Sequence, residues 1–189
     1  NLKKINLKCA PFENYLVKNN LRNYSLLKSN QQSTETLHPE LALLLSTSGT
    51  TGSPKLVRLS YNNLVSNASS IAEYLSLDSS ETAISSLPMN YSFGLSIINS
   101  HLFVGGSVVM TTESITQRGF WDLFKNFKVT SLSGVPYTFE ILKKFRLLNA
   151  ELPSLKMLTQ AGGKLSDELI AHFAQFSTNK GIQFFVMYG

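Results

Sequence analysis

An apolar run passes directly into a loop of hydroxyls and glycines closed by a lysine: Leu43-Leu44-Leu45-Ser46-Thr47-Ser48-Gly49-Thr50-Thr51-Gly52-Ser53-Pro54-Lys55. Gly49 and Gly52 permit a tight turn and put no Cβ between the backbone and a close guest. Successive N–H groups in such a turn make an anion-binding concavity, and the Ser and Thr hydroxyls add donors. Lys55 contributes a point positive charge at the exit. The guest that suits these groups is a polyphosphate. The common nucleoside-triphosphate loop is excluded, because it needs Gly, four residues, then Gly-Lys-Ser/Thr and a helix. Here the glycines stand too close together, Pro54 precedes the lysine, and Leu56-Val57-Arg58-Leu59 reads as a strand. An ordinary Ser/Thr/Gly-rich hairpin loop shares the composition and stays open as an alternative.

Thr47-Ser48-Gly49-Thr50-Thr51-Gly52-Ser53-Pro54-Lys55 resembles the signature of the adenylate-forming superfamily. Its members include acyl-CoA synthetases, the adenylation domains of peptide synthetases, and luciferases. They activate a carboxylate with ATP, giving an acyl-adenylate and pyrophosphate. The resemblance implies that Thr47, Ser48, Gly49, Thr50, Thr51, Gly52 and Lys55 cradle the phosphates, with Thr50 and Lys55 closest to the chemistry. Further stretches follow in the matching order. Leu87-Pro88-Met89-Asn90-Tyr91-Ser92-Phe93-Gly94 resembles the segment that borders the acyl pocket, which implies that role for Tyr91, Ser92, Phe93 and Gly94. Tyr91 stands where many acyl-CoA synthetases have His. Ser92 stands where amino-acid-activating relatives carry an Asp that pairs with the substrate ammonium. An ammonium left unpaired in a dry pocket is costly, so an acid without an α-ammonium is expected.

Ser133-Gly134-Val135-Pro136 resembles the Val-Pro turn along the acyl tunnel, although a strand terminator explains Pro136 equally well. Thr159-Gln160-Ala161-Gly162-Gly163-Lys164-Leu165 resembles the loop against the adenine, which implies adenine contacts from Gly162, Gly163 and Lys164. Met187-Tyr188-Gly189 resembles the start of the Tyr-Gly-x-Thr-Glu motif, whose Tyr stacks on adenine and whose Glu helps hold magnesium. Tyr188 and Gly189 are therefore adenine residues by resemblance, and no residue of this chain is assigned to a metal. The parent enzyme is expected to use ATP, Mg²⁺, a small carboxylic acid and CoA, and to end in a thioester. Loading of a carrier protein and a non-catalytic nucleotide-binding domain are the rival readings. The chain reads as an excised central piece, inactive alone: residues 1–40 a lead-in and linker, 41–189 a partial AMP-binding domain.

Composition supports a globular fold. The 189 residues are 43% hydrophobic and 15% charged, which fits a packed core and excludes disorder. The net charge of +5 resides in residues 1–30, and the remainder is balanced. A solvated face explains this better than a nucleic-acid arm, because aromatic residues are not interleaved with the charges. One cysteine, Cys9, excludes an internal disulfide framework and suits a reducing cytoplasm. Phe93 to Met110 is too polar for a membrane span and reads as helix, turn and strand. His101 and His172 fall in helical patterns and read as structural or surface residues.

The elements that must hold these loops alternate. Strands are predicted at Leu41–Ser46 (buried), Leu56–Ser60, Thr82–Leu87, Ser107–Thr111, Val129–Val135, Leu155–Gln160 and Ile182–Tyr188. Helical stripes lie between most of them, with Ser60, Ser92 and Ser166 as caps. Phe120, Phe124, Phe127, Phe139 and Phe145 mark core faces. This is an α/β pattern: a mostly parallel sheet with helices on both faces and ligands beyond the carboxyl ends of the strands.

Overall fold

The computed structural model describes residues 15–21, 24–29, 37–46 and 56–188. The polyphosphate loop Thr47–Lys55 and Gly189 lie outside the described residues. The chain divides into two units, Asn1–Pro39 and Glu40–Gly189. In the first, β1 (Tyr15–Leu21) and β2 (Tyr24–Ser29) form an antiparallel hairpin, with Tyr15 opposite Ser29 and Leu21 opposite Tyr24. Sequence reading places only lead-in and linker here. Two short runs set two residues apart are a hairpin sign, which frequent Asn and Lys conceal.

In the second unit, β3 (Leu41–Ser46) and β4 (Leu56–Ser60) pair antiparallel, Leu44 opposite Arg58. The expectation of a buried strand is corrected. Among the described residues β3 pairs with β4 alone, and Leu44, Leu56 and Val57 are exposed. Ser60 then caps α1 (Tyr61–Tyr74). Its hydroxyl accepts from Asn63 N at 3.1 Å while Asn63 Oδ1 accepts from Ser60 N at 3.0 Å, a reciprocal capping box.

Five parallel strands follow: β5 (Thr82–Ser85), β6 (Ser107–Met110), β7 (Ser131–Gly134), β8 (Met157–Gln160) and β9 (Gln183–Val186), in the order β6-β5-β7-β8-β9. Helices α2 (Ser92–Phe103), α3 (Arg118–Asn126), α4 (Pro136–Lys144) and α5 (Asp167–Lys180) join them. The strands are shorter than their apolar runs, yet type and order agree with the pattern. Side chains alternate across a sheet. Ile84, Leu132, Leu158 and Phe184 therefore join Phe120, Phe124, Phe139 and Phe173 in one core under α3, α4 and α5. Ala83, Met157 and Phe185 pack on the opposite face with residues of α1 and α2. Phe127 and Phe145 depart from the expected core: each occupies a helix C-cap and is exposed.

At the amino end of the sheet, Glu81 is buried and bound on both oxygens. Lys156 Nζ lies 2.7 Å from Oε1, and the Thr130 hydroxyl donates to Oε2. The same Thr130 oxygen accepts from Thr82 N at 2.9 Å. The hydrogen bond from Lys156 to Glu81 holds the ammonium pKa above its ordinary value. This network straps the starts of β5, β7 and β8 together and leaves their other ends to carry loops.

Candidate active site

Parallel strands all deliver their chain at one edge, so the loops after β5, β7, β8 and β9 gather there. Their meeting point is a glycine pair. Gly162 has φ 79° and Gly163 φ 157°, the first of which favours glycine over any residue with a side chain. A Cβ at Gly162 would run into the Tyr91 hydroxyl and lie 3.2 Å from Val135 Cγ1. One at Gly163 would lie 3.1 Å from Pro136 Cγ. Tyr91, Val135, Pro136, Gly162 and Gly163, assigned separately along the sequence, thus interlock in space.

Gln160 holds the pair in place, and sequence reading missed it. Its side chain is fully buried at the end of β8, and Nε2 donates to Ala161 O at 3.1 Å and to Gly163 O at 2.9 Å. Two carbonyls can only accept, so the amide nitrogen must face them. The amide oxygen has no partner among the described residues. A glutamine ending a fully buried strand, just before a glycine pair, was the available signal.

Two expected local roles change. Ser92 does not cap α2: Tyr91 is the N-cap, and Ser92 is the exposed first helical residue. Tyr91 N donates to Pro88 O and Leu95 N to Tyr91 O, which starts the helix one residue early. Pro136 stops β7 and also opens α4 at N1, where its missing N–H costs nothing. Phe93 is buried with Ala83, Ile97 and Ala161, and its ring meets that of Tyr91 edge-on at 6.5 Å. Gly94 is buried against the backbone of Leu87 and Pro88.

Beside the glycine pair opens a cleft of about 460 Å³, lined by Gly162, Gly163, Lys164, Asp167, Met187 and Tyr188. The Tyr188 ring is fully exposed there. An open aromatic face beside bare glycine backbone fits a flat base such as adenine. No group of three or more His, Cys, Asp or Glu among the described residues could hold a metal ion.

His101 lies behind this surface, in α2. Its Nδ1 is 2.9 Å from Ile97 O and its Nε2 3.0 Å from Ser131 Oγ. A carbonyl only accepts, so Nδ1 carries the proton and Nε2 accepts from the serine. Burial pushes the imidazole pKa down. His172 is exposed. Both agree with a structural or surface reading. Among the described residues no helix is long and apolar enough to cross a membrane.

A parallel sheet that gathers a glycine loop, an open tyrosine and a Val-Pro helix start at its carboxyl edge defines an α/β domain with helices on both faces. The chain belongs to the adenylate-forming family: the family model described as AMP-binding enzyme matches residues 4–189. A luciferin 4-monooxygenase of Nipponoluciola cruciata is 34% identical over 134 residues, which cover 69% of this chain and 24% of that protein. An acyl-CoA ligase of Penicillium expansum is 29% identical over 141 residues, 74% of this chain and 29% of that protein. The structure of o-succinylbenzoate CoA synthetase from Bacillus subtilis with ATP and magnesium is similar at 26% identity and TM-score 0.65, covering 77% of this chain and 29% of that one. The chain thus spans under a third of the length of these relatives.

Proposed function

We propose that the protein containing this chain activates a carboxylic acid with ATP and passes the acyl group to CoA. The observation that carries this reading is the convergence of Tyr91, Val135 and Pro136 on the Gly162-Gly163 backbone, beside the cleft that Tyr188 flanks. Adenine lies along the glycine pair and Tyr188, with Lys164 and Gly189 at its edge. The acid approaches past Tyr91, Ser92, Phe93, Gly94, Val135 and Pro136. Its carboxylate oxygen attacks the α-phosphorus, one P–O bond forms, and the bond to pyrophosphate breaks. No enzyme nucleophile is needed, because alignment and stabilisation of phosphate charge carry the rate. Thr47, Ser48, Gly49, Thr50, Thr51, Gly52 and Lys55 contact the β- and γ-phosphates, and Mg²⁺ accompanies ATP. Two observations support CoA as acceptor: a similar chain is an acyl-CoA ligase and a similar structure is a CoA synthetase. The single cysteine supports a reducing cytoplasmic setting.

Carboxylate-dependent ATP–pyrophosphate exchange by the full-length protein tests the first half-reaction. Lys55→Ala should reduce it roughly a hundredfold, the usual loss for one preorganised phosphate donor. Exchange that ignores Lys55, or needs no carboxylate, overturns the reading. Thioester formation with CoA then tests the acceptor.

A further inference from the structure

Behind Phe93, between the sheet and helices α1 and α2, lies a cavity of about 20 Å³, which is room for about one water or methyl group. Its lining includes Phe93, Ile97, His101, Ser133, Thr159 and Met187. Met187 also lines the 460 Å³ cleft. The two spaces thus share Met187, and Phe93, which lines the cavity, meets the Tyr91 ring edge-on. We infer that the acid activated here is a short one, with a tail no longer than that of butyrate, because its tail ends in this cavity. The inference rests on the carboxylate-activating reading and deepens it.

Three features keep the cavity small. Ile97, Ser100 and His101 on α2 are 5%, 1% and 3% exposed, so this side of the helix is packed. His101 Nε2 accepts from Ser131 on β7, tying α2 to the sheet across the cavity. The Ser133 and Thr159 hydroxyls bond each other at 2.7 Å across neighbouring strands. Widening the space for an alkyl chain means prying α2 from the sheet and breaking the histidine bond. A close-packed interior gives little without such a break. The polar lining is also already satisfied: the Ser96 hydroxyl donates to Phe93 O at 2.8 Å and that of Ser100 to Ile97 O at 3.2 Å. No unpaired group there demands a polar substituent, so a plain aliphatic acid fits.

The test is ATP–pyrophosphate exchange by the full-length protein with acetate, propionate, butyrate, octanoate and palmitate. Acids up to butyrate should give the highest kcat/KM, falling roughly a hundredfold or more by octanoate. Octanoate or palmitate matching butyrate overturns the inference and leaves the ligase reading standing. If none of these five acids drives exchange, the inference falls, and a wider panel with aromatic acids decides whether the ligase reading falls with it. Ile97→Ala enlarges the cavity and should raise octanoate relative to butyrate by roughly tenfold, with the KM for ATP unchanged. Ile71→Ala, on half-buried α1, is the second variant should the first fail to fold. An unaltered chain-length profile in a folded variant shows that this cavity does not set the limit.

Discussion

Under α3, α4 and α5 the strands present Ile84, Leu132, Leu158 and Phe184 to a set of phenylalanines. Under α1 and α2 the same strands present Ala83, Ser131, Ser133, Met157 and Thr159, with His101 set into them. Parallel sheets buried on both faces usually read as continuous apolar runs. Strand β7, Ser131-Leu132-Ser133-Gly134, alternates instead, although it is buried or half-buried throughout. The polar side is therefore not a wet side. Its hydroxyls bond one another, the histidine or the backbone, and small residues leave space beside the site. One face holds the fold together and the other shapes what the fold receives.

The sharpest way to break that comparison is to truncate one residue on each face. Phe173 is 2% exposed and meets Phe139 edge-to-face at 4.9 Å. Phe173→Ala should cost about 3–5 kcal/mol of stability in urea unfolding of the full-length protein. Ser133→Ala deletes one hydroxyl of a satisfied pair and should cost about 1 kcal/mol. Similar losses for the two would mean that the faces do not divide the labour.

A smaller effect separates backbone strain from crowding. Gly162 and Gly181 both have positive φ, 79° and 67°, but a Cβ at Gly181 meets nothing within 4 Å. Gly181→Ala should cost about 1 kcal/mol for the conformation alone. Gly162→Ala adds the collision with the Tyr91 hydroxyl and should cost about 1–3 kcal/mol, with weaker AMP binding by calorimetry. Combining it with Tyr91→Phe should return part of the loss. No recovery in the double variant would show that the tyrosine hydroxyl does not crowd this loop.

The apolar face was more legible than the polar one, for a physical reason. Phe120, Phe124, Phe139 and Leu142 recur at helical spacing, and burial of large side chains leaves a periodic trace. The glycine pair and the Val-Pro turn were visible because few residue types tolerate their backbone. Gln160 was not visible: its role depends on two carbonyls of its own loop, and no periodicity marks a side chain that turns back on its backbone. Ser92 was misread for a related reason. A serine before an apolar stripe looks like a cap, but the turn from Pro88 had already started the helix at Tyr91. The half-burial of β3 was hidden as well, since an apolar run does not say how many neighbours the strand has, and among the described residues it has one.

The smallest effect probes the polar face through pH. Burial lowers the His101 pKa, opposed by the Ile97 carbonyl that takes its proton and by the Glu81 carboxylate. The unfolded imidazole titrates near its ordinary value of about 6.5. The unfolded chain therefore binds the proton first as pH falls, and the folded state loses stability from about pH 6.5 downward. The slope from one such group is at most about 1.4 kcal/mol per pH unit. Glu168, held below the usual carboxylate range by Lys143, releases its contribution only at lower pH and does not confuse this window. His101→Gln should flatten the decline in unfolding free energy, measured with urea, between pH 6.5 and 5.5 relative to the unmodified protein, by about 1 kcal/mol or less. His172 is exposed and unchanged in the variant, so the difference between the two curves isolates the buried ring. Identical curves would mean that water reaches His101 in solution, and the polar face would then lose its claim to be a dry wall of the site.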